Sequence, residues 1–131
     1  MKKKGIINRK LAAELAALGH KDRFMIADAG MPIPKGVEII DLAVVGGVPS
    51  FRQVCDAIFE EEGVEEYWLA AEIKEKNPEL LSYIQGKLKD INCTYVPHTE
   101  LKAMSADIKF AVRTGEFSPY PNIICSADCA F

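Results

Sequence analysis

"LGHKDRFMIADAGMPIP", residues 18–34, is the stretch on which the fold turns. Its apolar run begins at Phe24 and stops at Asp28, and a glycine and two prolines follow close behind. A short apolar run bounded by such breakers reads as a buried strand, here 24–28. Upstream, Leu11, Leu15 and Leu18 recur at helical spacing after Asn8, a fair N-cap, and Gly19 fits the C′ position. Helix, turn and buried strand therefore follow one another directly. The same stretch sets an imidazole, His20, and a carboxylate, Asp28, at the two ends of one hydrophobic segment, which packing alone does not require.

Outward from there the two periodicities keep alternating. "VEIIDLAVV" (37–45) is a second strand candidate, and Ser50 opens a helix through Gly63 with Gln53 placed for a capping box. "VEEYWLAA" (64–71) reads as a strand, and Asn77-Pro78-Glu79 starts a helix with proline at its first position. A short strand at 93–97, a short helix at 99–106 and strands at 109–115 and 122–127 complete the chain. Alternating strands and helices predict an α/β fold: a three-layer sandwich whose central sheet, mostly parallel or mixed, is flanked by helices. In such folds ligands gather at the carboxyl ends of strands, where Asp28 and His98 both fall.

A chain of 131 residues is expected to form a single domain, residues 1–131. The formal net charge of −3 gives no reason to expect nucleic acid or an anionic membrane as a partner. The basic start leads into "GIINRKLAAELAALG", too charged for the core of a signal peptide, and a cytoplasmic protein is expected. Cys55, Cys93, Cys125 and Cys129 form no C-x-x-C pair, so reduced thiols are expected and a structural zinc site is not. Phosphate-binding glycine loops and the G-x-S-x-G elbow are absent from the sequence.

What remains is a thin set of polar groups at element ends. His20 lies past a predicted helix C-terminus, where the dipole favours the imidazolium and a capping role is equally natural. Asp28 fits a turn residue as well as a ligand. His98 would share a face with Lys102 if the helix at 99–106 began one residue early. "GEFSPYPN" (115–122) is a turn-rich segment in which Tyr120 and Asn122 could present a hydroxyl and an amide.

Taken in order, "LGHKD", "ADAGMPIP", "GVPSF", "AAEIK", the stretch from His98 to Lys102 and "RTGEFSPYPNII" resemble the ribose pyranase family over essentially the whole chain. Two positions depart from that pattern. Pro121 stands where an alanine or glycine is usual, and "ADCAF" closes a chain that usually has a glycine near its end. The resemblance implies interconversion of the pyranose and furanose forms of β-ribose without cofactor or metal. It implies His20 as proton donor and Asp28, His98, Tyr120, Pro121 and Asn122 as the residues around D-ribose. It also implies ring-shaped homo-oligomers, decamers of two pentamers, with sites at subunit contacts. A fucose mutarotase and a non-catalytic ribose-binding accessory protein are the competing expectations.

The length of the first strand bears on that assembly. A strand over 23–28 rising about 3.3 Å per residue sets its ends roughly 15–20 Å apart, too far for His20 and Asp28 of one chain to meet one ribose. Either the segment after His20 folds back, or the pocket is shared between chains.

Overall fold

The computed structural model describes the whole chain, Met1–Phe131. Its elements are α1 (Arg9–Ala16), β1 (Arg23–Ala27), β2 (Glu38–Asp41), α2 (Phe51–Glu61), β3 (Val64–Ala70), α3 (Ile73–Lys76), α4 (Pro78–Lys87), β4 (Asn92–Val96), α5 (His98–Met104), β5 (Phe110–Arg113) and β6 (Ile123–Ala127). The capping signals act as the sequence predicts. Asn8 accepts from the Leu11 N–H at 2.9 Å, and Ser50 with Gln53 forms a reciprocal capping box at the start of α2. Each satisfies backbone donors that the first helical turn leaves free.

The six strands form one sheet in the order β2-β5-β1-β6-β3-β4. Neighbours are parallel except at β6, which runs antiparallel to both β1 and β3. Five strands therefore point one way and β6 alone runs back through the middle. Successive side chains alternate between the sheet's two faces. Phe24, Ile26, Leu69, Phe110, Val112 and Ile123 face a core of 21 buried residues capped by α1, α2 and α4. Met25, Ala27, Trp68, Ala70, Ala111 and Ile124 face a core of 10, covered by Leu101 of α5 and by Met31 and Ile108. The sandwich thus has one thick layer and one thin one. At about 1.5–3 kcal/mol per large apolar side chain buried, the thicker face carries most of the folding drive.

Three details differ from the sequence expectations. The strand at 37–45 shortens to Glu38–Asp41 because its partner β5 ends at Arg113. Leu42 keeps one hydrogen bond to the Arg113 carbonyl (2.9 Å), and the chain then turns through Val45–Val48. Gly19 is not the left-handed residue after α1. The helix ends at Ala16, residues 19–22 close a separate turn through the Gly19 carbonyl and the Asp22 N–H (3.0 Å), and the left-handed backbone falls on Lys21 (φ 70°). Finally, α5 begins at His98 rather than 99, which puts Lys102 one turn along the same helix.

Candidate active site

The topology sorts the candidate residues into two groups at opposite ends of the sheet. Asp28 directly follows β1, and His98 comes two residues after β4, so both stand at carboxyl ends of parallel strands. Asn122 directly precedes β6, whose reversed direction brings its start to that same end. Tyr120 and Pro121 come with it. His20 lies before β1, at the other end. Five residues of β1 at about 3.3 Å each put roughly 17 Å between the two groups.

At the first end, Asp28 and Asn122 lock together. The Asn122 side chain accepts from the Asp28 N–H and donates to its Oδ2, both at 2.9 Å, and Asn122 is fully buried. Asp28 Oδ1 accepts from the Gly30 N–H at 2.8 Å, which tightens the turn. Leaving a buried amide unpaired costs about 1–3 kcal/mol, so this pair is fixed rather than adaptable. Thr114, also fully buried, donates its hydroxyl to the Ala27 carbonyl at 2.8 Å. Next to it only glycine fits at 115, because a Cβ there would lie 2.6 Å from the Val48 carbonyl oxygen.

His98 packs edge-on against Tyr120, with ring centroids 5.1 Å apart. Its backbone N–H is shared by both Glu72 carboxylate oxygens at 3.1 Å. Its Nδ1 is buried and has no hydrogen-bond partner in the chain. Burial, and then the Lys102 charge, hold its pKa below the usual histidine value against the opposing pull of Glu72 and Asp28. A neutral ring with its proton on Nε2 suits this setting, since a buried N–H without an acceptor is dearer than a bare nitrogen.

Tyr120 carries a left-handed backbone (φ 57°) directly before Pro121, a place where extended backbone is preferred. Such a conformation persists only where its surroundings over-determine it. Asn77 provides part of that constraint by donating to the Ser118 hydroxyl (3.1 Å) and the Pro119 carbonyl (2.9 Å). Glu116 provides more. Its side chain accepts from the Phe51 N–H (3.0 Å) and the Ser118 N–H (3.3 Å), and its carbonyl accepts from the Ala29 N–H (3.0 Å). The sequence alone does not mark Glu72, Asn77 or Glu116 as site residues: Glu72 and Glu116 fall within the "AAEIK" and "RTGEFSPYPNII" stretches, and Asn77 reads only as a helix start.

The other end is more open. His20 Nε2 lies 2.9 Å from Glu65 Oε2, with the two side chains 44% and 25% exposed. The expected helix-capping role is not realised, because α1 has already ended at Ala16. Glu65 Oε1 accepts from the Ser126 hydroxyl at 3.1 Å. The hydrogen bond from His20, reinforced by Ser126, holds the Glu65 carboxyl below its ordinary pKa. A cleft of about 490 Å³ opens here, lined in part by Leu18, His20, Glu62, Asp128 and Phe131. Donor atoms of His20, Glu65 and Asp128 lie within 4.8 Å of one another. A cation there would have to displace the bonds His20 and Glu65 already make.

The fold and these polar groups define a small α/β protein with imidazole, carboxylate and amide groups gathered at the two ends of its sheet. The chain belongs to the RbsD / FucU transport protein family, whose profile matches residues 1–129. It is 47% identical over 131 residues to the D-ribose pyranase of Lactiplantibacillus plantarum, covering all of both chains. It is 51% identical over 125 residues to that of Streptococcus uberis, covering 95% of each. Among solved structures, Bacillus subtilis RbsD complexed with D-ribose matches with a TM-score of 0.96 and 44% identity over the full length of both chains. The fucose mutarotase of Streptococcus pneumoniae matches at a TM-score of 0.79 and 21% identity over 95% of each chain, a likeness of fold.

Proposed function

We propose that this chain interconverts the pyranose and furanose forms of D-ribose as a cofactor-free intramolecular isomerase. The full-length likeness to relatives named D-ribose pyranase carries this reading. The chemistry asks for little. The bond between C1 and the ring oxygen breaks as that oxygen takes a proton, and the anomeric hydroxyl loses its proton as the aldehyde forms. Closure through the neighbouring hydroxyl reverses both transfers, so no proton is consumed. General acid–base assistance of about 10²–10⁴-fold suffices for a reaction that already proceeds in water.

His20 is the proton donor in this reading. Histidine is the side chain suited to donating and accepting a proton near neutral pH. Asp28, an acceptor-only carboxylate, holds sugar hydroxyls, with Asn122, His98, Tyr120 and Pro121 completing the wall. Lys102, one turn from His98, is a weaker candidate for the same wall.

The pocket is composite: the His20 end of one chain meets the Asp28–Asn122 end of a neighbour in a ring-shaped homo-oligomer, a decamer of two pentamers. The separation of about 17 Å along β1 supports this, since a pentose cannot bridge it. Phe131, fully exposed beside the His20 cleft, supports it too, because a large apolar side chain gains from cover. The protein is read as cytoplasmic, a placement its four free cysteines favour.

Magnetisation-exchange NMR with ribose and with L-fucose tests the assignment. Accelerated transfer between ribose pyranose and furanose signals is the expected result. Faster α/β exchange of fucose alone would make the chain a mutarotase, and ribose binding without faster exchange would make it a carrier.

A further inference from the structure

His20 is open to solvent, unlike Asp28, His98, Tyr120, Pro121 and Asn122, and an exposed imidazole on a turn has several rotamers to sample. A proton donor must nonetheless meet the sugar in one orientation. The sole side-chain partner of His20 is Glu65, at 2.9 Å through Nε2. Glu65 stands on β3 and Ser126 on β6, adjacent strands paired in the middle of the sheet. Ser126 is 2% exposed and donates to the carboxylate oxygen that His20 does not use. The exposed ring is thus tied through one carboxylate to a rigid, buried hydroxyl.

We propose that Glu65 is the positioning residue of the reaction: it holds His20 Nε2–H and leaves Nδ1 as the nitrogen that exchanges a proton with the sugar. The proposal rests on the isomerase reading above. A carboxylate only accepts, so the nitrogen facing it carries a hydrogen in both charge states of the ring. The proton that comes and goes is then the one on Nδ1. In ring opening the Nδ1–H bond breaks and the ring oxygen takes that proton as its bond to C1 breaks. The anomeric hydroxyl passes its own proton to water as the aldehyde forms, and His20 is left as the neutral Nε2–H tautomer. On closure the attacking hydroxyl returns a proton to Nδ1 as it bonds to C1, and water returns one to the aldehyde oxygen, so no net proton is consumed. The Glu65 carboxyl, held low by the bond from His20, stays ionised throughout. Carboxylate–imidazole pairs that fix a tautomer in this way are a recurring device around reactive histidines.

The test uses the full chain in its native assembly, labelled with ¹⁵N-histidine, with Glu65→Gln, Glu65→Ala and Ser126→Ala variants. Long-range ¹H–¹⁵N spectra of the wild type are expected to show neutral His20 as the Nε2–H tautomer. Glu65→Ala is expected to mix the tautomers and lower kcat about 10- to 100-fold while leaving the KM for ribose nearly unchanged. Glu65→Gln, whose amide oxygen still accepts from Nε2–H, is expected to recover part of that loss. Ser126→Ala, the mildest change, is expected to loosen the ring with a smaller fall in kcat, and it replaces the Glu65 variants should they fail to assemble. An Nδ1–H tautomer in the wild type, or a folded Glu65→Ala protein with undiminished kcat, overturns the proposal. A wild type that does not speed ribose exchange overturns the isomerase reading instead, and the spectrum still reports whether Glu65 sets the tautomer.

Discussion

The two ends of the sheet are built to opposite specifications. At the end holding Asp28, Asn122 is fully buried, doubly bonded to its partner and supported by Thr114 and Glu116. At the end holding His20, one exposed imidazole rests on one carboxylate. The contrast follows from what each end is asked to do in the proposed reaction. Groups that hold hydroxyls in fixed places benefit from being locked, since the ordering has been done before the ligand arrives. A group that gains and loses a proton needs solvation for its charged form, and burial would suppress that form. Rigidity and titration are therefore divided between ends rather than combined in one residue.

The sharpest way to break this division is to remove one side of it. His20→Ala is expected to cut the exchange rate about 10²–10⁴-fold with little loss of stability and with ribose still bound, read by NMR exchange and calorimetric titration. Asn122→Ala should do the reverse. It leaves the Asp28 N–H and carboxylate short of partners, so a stability loss of about 1–3 kcal/mol is expected in denaturant unfolding, together with weaker ribose binding. If His20→Ala unfolds the protein or Asn122→Ala leaves affinity intact, the division is wrong.

A mixing experiment sharpens the point. His20→Ala and Asp28→Asn chains, each nearly inactive alone, are unfolded, mixed equally and refolded together. Pockets shared between neighbours should recover about a quarter of the wild-type rate, because one neighbour pair in four brings both intact halves together. Pockets lying within one chain should recover nothing.

The smallest effect concerns pH. Folding lowers the His98 pKa from its ordinary 6.5, mainly by burial. Below that value the unfolded chain therefore binds a proton that the folded chain resists, and stability drops as pH falls. Melting temperatures measured from pH 7 to pH 5 should decline less steeply in a folded His98→Asn protein than in the wild type. An equal decline in both would remove His98 from the account.

Local structure was legible in the sequence wherever its cause is local. Asn8, Ser50 with Gln53, and Pro78 act within one helical turn, and their signals marked three helix starts correctly. Alternation between helix and strand patterns likewise announced the α/β class and its mostly parallel sheet. The length of β2 was not legible, because it depends on where β5 stops, some seventy residues later. The sorting of residues between ends was legible only in part: strand direction put Asp28 with His98 and held His20 apart from Asp28, but it did not reach the partners Asn122 and Glu65. Asp28 meets Asn122 across 94 positions and His20 meets Glu65 across 45, and no spacing rule reaches so far. Glu65 in particular reads as an ordinary polar position in a strand. The family resemblance singled out the candidate residues without saying which of them share an end of the molecule.

The reversed strand β6 has a consequence for how the chain is made. Strands β2, β5 and β1 form one half-sheet and β3 and β4 another, and nothing but β6 joins them. All the others come before it along the polypeptide. Until Ile123–Ala127 pairs with both, β1 and β3 each keep an unpaired edge. Contacts so distant along the chain form slowly, and waiting edges invite wrong partners, so this protein's most vulnerable moment comes just before its sheet is closed.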